Sequence, residues 1–114
     1  MTQDDAELLT GYKFTPGWEF IDIKRNGELS GFVMKQGNEL HVFRVPKYSG
    51  RWFYRNDLEN IFNPVLREFG EVVTKVRKSN EGGMKFCKRI GFEVVGSDEN
   101  VINMRLTRIQ HARN

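Results

Sequence analysis

The sequence predicts an α/β domain of the α+β kind, in which a mixed, mostly antiparallel, twisted sheet of about six strands carries one long and one short helix. Three observations lead to it. Strand-like runs punctuated by Asn26-Gly27 and Gln36-Gly37-Asn38 form an antiparallel meander in the middle of the chain. Leu58, Ile61, Phe62, Val65, Leu66 and Phe69 fall at i, i+3, i+4, i+7, i+8 and i+11, the spacing of one broad apolar helix face. Ser79 to Phe92, S-N-E-G-G-M-K-F-C-K-R-I-G-F, reads as a short helix pinned between two strands.

A chain of 114 residues is long enough for one hydrophobic core but not for two, so residues 1–114 are expected to form a single domain. Its hydrophobic share of 39% and charged share of 29% are those of a globular protein. No apolar run approaches the roughly eighteen residues needed to span a membrane, and no segment reads as a signal peptide. Cys87, the one cysteine, has no partner for an intramolecular disulfide, which makes a reducing cytoplasm the simplest setting. His41 and His111 lie far apart and have no Cys at metal-ligand spacing, so no metal is expected. The net charge of +3 is uneven: four Lys/Arg face seven Asp/Glu up to Phe43, and fourteen face eight from Arg44 onward. The second half is either a solvated basic surface or a site for phosphates, on a cofactor or on a nucleic acid.

In chain order, residues 1–17 form a short irregular or helical lead-in. Thr2 to Thr10 has an N-cap candidate and early acids, and Gly11 to Gly17 is an irregular stretch expected to pack Tyr12 and Phe14. Trp18 to Lys24 alternates, with Trp18, Phe20 and Asp22 on one side and Ile21 and Ile23 on the other. Glu28 to Lys35 and Glu39 to Val45 complete the meander, and Pro46 ends it. Lys47 to Arg55 is a basic, aromatic connector. Asn56 followed by Glu59 gives a capping-box pattern for the long helix, and Pro64 is expected to kink that helix or divide it in two. Gly70 closes it, and Glu71 to Lys78 alternates as a strand around Val72, Thr74 and Val76.

In the short helix, Asn80 is the N-cap, Glu81 stands in the first turn, Lys85, Lys88 and Arg89 gather toward the end, and Gly91 stops it. Glu93 to Gly96, a turn at Ser97 to Asn100, and Val101 to Arg108 form a final hairpin with Ile102, Met104 and Leu106 facing one way. Residues 109–114 are expected to be a loose tail.

This order of elements resembles the GCN5-related N-acetyltransferase (GNAT) superfamily over roughly Trp18 to Arg108. The family often carries Asn-x-x-Ala-x-x-(Leu/Phe)-Tyr-x-x-x-Gly-Phe after its fifth strand, and Asn80, Gly83, Phe86, Cys87, Gly91 and Phe92 stand in that register. The usual long N-terminal strand and helix pair is compressed here into Met1 to Gly17. The resemblance implies acetyl-CoA as cofactor, its pantetheine paired with backbone around Phe43 and Val45. It implies a pyrophosphate held by amides and charge of the Val45 to Asn56 region, with Gly50, Arg51, Arg55 and Asn80 as candidate contacts. Trp52 and Tyr54 fall where the family has the small residues of its phosphate loop.

The resemblance also implies direct attack of an amine, on a small molecule or a protein, upon the thioester. Cys87 replaces the family's acid Tyr, so either Cys87 or water protonates the leaving thiolate; read from the residues alone, Cys87 is a small buried core residue. Candidates for the base are Glu39 and His41, two apart on one strand face, or Asp22; the plain alternative is that all three are exposed strand residues. Asn80 is a helix cap, a cofactor contact or both. Trp52, Phe53 and Tyr54 either pack against the domain or contact a protein or a single-stranded nucleic acid. Small divergent acetyltransferase-like proteins of tailed bacteriophages, including internal virion and head-assembly proteins, resemble this chain in its Asn, aromatic and Ile-Gly stretch. That leaves a second reading, a catalytically degenerate protein acting in protein binding or virion assembly, located in host cytoplasm or virion. Pairing of two copies into a homodimer and nucleic-acid binding through the basic second half are the remaining partner expectations.

Overall fold

The computed structural model describes residues 1–109. Its elements are α1 (Gln3–Thr10), β1 (Glu19–Arg25), β2 (Glu28–Gln36), β3 (Glu39–Arg44), α2 (Arg55–Phe69), β4 (Val72–Arg77), α3 (Glu81–Ile90), β5 (Glu93–Ser97) and β6 (Val101–Leu106). This is the expected α+β fold, with a six-stranded, mostly antiparallel sheet. The chain divides into two compact units, Met1–Leu58 and Glu59–Asn114. The expected tail at 109–114 lies outside the described residues beyond Ile109.

In the first unit β1, β2 and β3 form the predicted antiparallel meander. Arg25 pairs with Glu28 across a two-residue turn in which Asn26 and Gly27 both have positive φ (52° and 80°). Those left-handed dihedrals match the twist of the flanking strands, which is why Asn-Gly is the sequence found there. Gln36 pairs with Glu39 across Gly37-Asn38 in the second turn.

Between the two turns the β1–β2 ladder carries a bulge. Ile23 faces Gly31 while Lys24 faces Leu29, so Ser30 is the extra residue. Ser30 is fully buried, and its Oγ lies 3.1 Å from the Ile23 carbonyl and 2.9 Å from the Trp52 carbonyl. A hydroxyl has one proton, so these two acceptors share it. The Ser30 carbonyl in turn accepts from the Val45 amide at 2.9 Å. Next to it, Gly31 has no room for a side chain: a Cβ there would stand 2.6 Å from the Phe43 carbonyl oxygen and 2.7 Å from Cε3 of Trp52.

Phe14, Phe20, Phe32 and Phe43 form one aromatic layer, with Phe43 stacked on Phe32 at 4.9 Å and Phe14 tilted against both Phe20 and Phe43. Each such ring taken from water contributes on the order of 2 kcal/mol. The lead-in is ordered by the expected N-cap and by one longer hydrogen bond that the spacing does not predict. Thr2 and Asp5 make a capping box, Gly11 ends α1 in the left-handed region, and the Glu7 carboxylate accepts from the Phe14 amide at 2.7 Å. That amide holds the Glu7 carboxyl below its ordinary pKa. Phe14 is packed as expected, whereas Tyr12 is half exposed.

The long helix α2 departs from its predicted start. The Leu58 amide bonds the Tyr54 carbonyl, and the Asp57 carboxylate accepts from the Tyr54 amide at 2.8 Å, so the cap is at Tyr54 and Asn56 lies inside the first turn. The Asn56/Glu59 capping box is therefore corrected: Asp57, one residue after Asn56, reaches back first. Pro64 neither divides the helix nor ends it; α2 runs for 15 residues across it. Packing of its apolar face, with Leu58, Phe62 and Val65 buried, outweighs the one ladder bond that Pro64 removes.

In the second unit β4, β6 and β5 lie in that order, all antiparallel. Val72, Thr74 and Val76 are buried opposite Leu106, Met104 and Ile102. Phe62 meets Phe92 edge to face at 6.2 Å. Asn80 caps α3 as predicted, accepting from the Gly83 amide at 2.9 Å. At the other end the Gly91 amide bonds the Lys88 carbonyl (3.2 Å) and the Phe92 amide bonds the Cys87 carbonyl (3.0 Å). This is the Schellman arrangement, and it turns the chain directly into β5. Asp98 builds the last turn by accepting from the amides of Asn100 and Val101, both at 2.8 Å, which lower its pKa.

Gly31→Ala is expected to destabilise the protein by at least about 2 kcal/mol in urea denaturation, because the Phe43 carbonyl is fixed in the β2–β3 ladder and Trp52 is tied by its carbonyl to Ser30. Gly82 and Gly83 give a sharper comparison. A Cβ at Gly82 meets nothing closer than 3.9 Å, whereas one at Gly83 comes 2.5 Å from Nδ2 of Asn80 and displaces the cap. Gly82→Ala should stabilise by up to about 1 kcal/mol, and Gly83→Ala should fall below it by about the value of the cap, roughly 1 kcal/mol. Adding Asn80→Ala to both should abolish the difference.

Candidate functional site

The candidate residues fall in both units. In the first, Glu39 and His41 sit two apart on β3, on the same face as Phe43. Glu39 Oε2 and His41 Nε2 are 2.6 Å apart, with side chains 28% and 19% exposed. In the neutral ring this contact makes Nε2 the proton-bearing nitrogen and leaves the lone pair on Nδ1. The Trp18 and His41 rings meet nearly perpendicular at 5.5 Å, and the Trp18 indole N–H donates to Thr15 Oγ1 at 3.2 Å. Asp22, the third candidate base, is instead paired with the Met1 α-amino group at 3.3 Å.

The register determines which backbone groups of β3 pair with β2. The Gln36–Glu39 turn and the bond from the Val45 amide to Ser30 give hydrogen-bonded pairs at positions 39, 41, 43 and 45. Phe43 and Val45 therefore direct their amides and carbonyls toward β2, and the Val45 carbonyl also accepts from Tyr48 at 3.0 Å. Backbone directed away from β2 belongs to Leu40, Val42 and Arg44. The strand was found from the sequence, but its parity was not, because parity depends on the turn closing with two residues.

Gly50 has φ +96°, the conformation in which glycine is favoured, so the connector keeps that part of a small-residue loop. Arg51 and Arg55 are exposed, and Arg55 opens α2. By helix geometry the amides of Arg55, Asn56 and Asp57 have no acceptor within α2. Charge and donors thus fit a pyrophosphate. One group opposes it: the Asp57 carboxylate lies on the Tyr54 amide, placing a negative charge at the same helix end.

Arg25, which the sequence did not single out, answers that charge. Its guanidinium is ion-paired with Asp57, lies 4.2 Å from the Tyr54 ring centroid, and is only 20% exposed. Arg51 covers the same ring at 4.7 Å. Trp52 is laid across Gly31, its carbonyl is taken by Ser30, and its ring is tilted against Phe53 at 5.4 Å. The aromatic connector thus has a packing role inside the first unit.

In the second unit Asn80 is occupied as the cap of α3, and Cys87 lies three residues before its last residue. Cys87 is partly buried, and burial pushes its thiol up to about 11. It is protonated at neutral pH, is no nucleophile there, and is poorly matched to donating a proton near pH 7. Among the described residues, no group of three or more His, Cys, Asp or Glu could hold a metal ion, and no helix is long and apolar enough to cross a membrane.

Solved structures that share this fold include N-acetyltransferases. Campylobacter jejuni PseH, crystallised in complex with acetyl coenzyme A, matches with a TM-score of 0.66 at 13% identity over 82% of this chain and 70% of that one. The ribosomal-protein-alanine N-acetyltransferase of Brucella melitensis gives 0.64 at 15% identity over 81% and 70%. A GNAT-family acetyltransferase of Bacillus cereus gives 0.59 at 19% identity over 78% and 70%. At such identities the likeness shows the fold, which is that of GNAT acetyltransferases. No protein-family model and no curated protein matches the sequence.

The thiol can be tested directly. Alkylation of Cys87 by iodoacetamide should be at least tenfold slower at pH 7.5 than that of a free cysteine, and should climb about tenfold per pH unit up to about pH 10. A plateau below pH 9 would contradict the raised pKa.

Proposed function

We propose that the chain is an N-acyltransferase that moves an acetyl group from acetyl-CoA to an amine by direct attack. The observation that supports this best is the Glu39–His41 contact at 2.6 Å on a partly buried strand of an acetyltransferase fold. A carboxylate on one ring nitrogen orients the imidazole and stabilises the charge it gains on taking a proton. In this reading His41, held by Glu39, accepts the proton that the attacking amine must lose, and water returns one to the leaving sulfur. Bound acetyl-CoA supplies the activated thioester carbonyl. Arg51 and Arg55 supply charge for its phosphates, and Gly50 the close approach. Cys87 and Asn80 are left with structural roles.

A second reading, a binding or assembly protein that has lost catalysis, is favoured by one observation, the Asp57 carboxylate at the start of α2.

Calorimetry separates the two. Acetyl-CoA should give a saturable heat with wild-type protein, Arg51→Glu should weaken it, and Asp57→Asn should tighten it. With an acceptor amine, His41→Gln and Glu39→Gln should lower kcat by about a hundredfold or more with binding of the cofactor unchanged. No heat at millimolar acetyl-CoA from either wild type or Asp57→Asn would leave the binding-protein reading standing.

A further inference from the structure

Arg25 is the last residue of β1, and its guanidinium passes over the acid beside it. Glu28 stands directly opposite in the β1–β2 ladder, yet the ion pair is made with Asp57, in the first turn of α2. Nη1 donates to the Lys24 carbonyl at 2.8 Å, and Nη2 is the atom on Asp57. Nε and Nη2 are both closed off from solvent, so water cannot replace the carboxylate as counter-charge. Asp57 is held just as firmly, its side chain 18% exposed and its carboxylate also taking the Tyr54 amide. Arg25 and Arg51 both lie against the Tyr54 ring, at 4.2 and 4.7 Å from its centroid. Among the described residues neither Arg51 nor Arg55 pairs with a carboxylate, and all these groups belong to the first unit. Whether an anion held by Arg51 and Arg55 meets a competing negative charge is therefore decided by Arg25. At the effective dielectric near a protein surface one uncancelled charge so close is worth about tenfold in affinity.

We propose that Arg25 is a positioning residue for the anion site of the connector: it holds Asp57 on the Tyr54 amide and cancels its charge, so that Arg51 and Arg55 meet a phosphate group without a competitor. The proposal rests on the acyltransferase reading in taking that phosphate to be the cofactor's. The compensation itself is a property of the four charged side chains and is measurable with an inorganic anion. It implies an order of affinities set by net charge: Asp57→Asn frees one guanidinium, Arg25→Gln frees one carboxylate, and making both changes restores the original balance.

The probe is inorganic pyrophosphate, titrated by calorimetry into the full chain at constant pH and ionic strength. Asp57→Asn keeps an acceptor for the Tyr54 amide and should bind about tenfold more tightly than wild type, whereas Arg25→Gln should bind about tenfold more weakly. The double variant and Arg25→Lys should both return to within about threefold of wild type, which a packing role for Arg25 does not predict. If Arg25→Gln alone does not fold, the tightening by Asp57→Asn and its cancellation in the double variant still decide the matter. A double variant as weak as Arg25→Gln, an Asp57→Asn affinity equal to wild type, or no pyrophosphate heat from either of those two proteins overturns the proposal. The full order of affinities without any response to acetyl-CoA keeps the proposal and removes the acyltransferase reading. Acetyl-CoA turnover whose KM for acetyl-CoA is unmoved by Arg25→Gln keeps that reading and removes the proposal.

Discussion

Ser30 is a fully buried polar residue at the point where three parts of the first unit meet, and its bonding is what lets them meet. The bulge it creates in β2 turns its hydroxyl inward between the Ile23 and Trp52 carbonyls, and its own carbonyl receives the Val45 amide. A buried carbonyl without a partner costs on the order of 1–3 kcal/mol, so the connector carrying Trp52 can lie over the meander only because something on the strand satisfies it. Gly31 then supplies the space for the indole. The connector's route, the position of Gly50 and the first residue of α2 all follow from this junction.

At the end of that route the chemistry of α2 is set by competition for one helix end. Its unpaired amides and the arginines at positions 51 and 55 attract an anion, while Asp57 has already brought one. Arg25, coming from β1, compensates Asp57, and the Tyr54 ring lies against both guanidinia. An external phosphate would meet a start of helix that is already partly neutralised. On β3 the chemistry is cleaner, since Glu39 and His41 need only the strand to stay adjacent.

Most of the architecture was legible because local chemistry dictates it. Asn26-Gly27 can hardly be anything but a tight hairpin turn, the run from Leu58 to Phe69 buries one face, and Asn80 and Gly91 cap α3 as such residues do. The start of α2 was misplaced because two carboxylates, Asp57 and Glu59, compete to reach back, and spacing alone cannot say which wins. Pro64 does not divide the helix, since one lost bond is small against a buried helix face. Around the candidate site, Glu39 and His41 were visible as neighbours on a strand face, whereas the contacts of Trp18 with His41 and of Arg25 with Asp57 were not. Those contacts form across turns and a bulge, which have no signature in a linear pattern. Cys87 could be ranked as core or acid only once its surroundings were known, and burial favours core.

The β5 strand carries a final consequence. Val94 and Val95 are each about half exposed on a strand whose hydrogen-bonded neighbour among the described residues is β6. Two adjacent valines on a sheet margin would ordinarily invite another chain to extend the sheet and so seed aggregation. Here the ladder slips between Val94 and Gly96, leaving Val95 unpaired, and the backbone there cannot present an even row of donors and acceptors. The irregularity acts as a guard on solubility, letting the strand keep an apolar surface without offering a template for polymerisation.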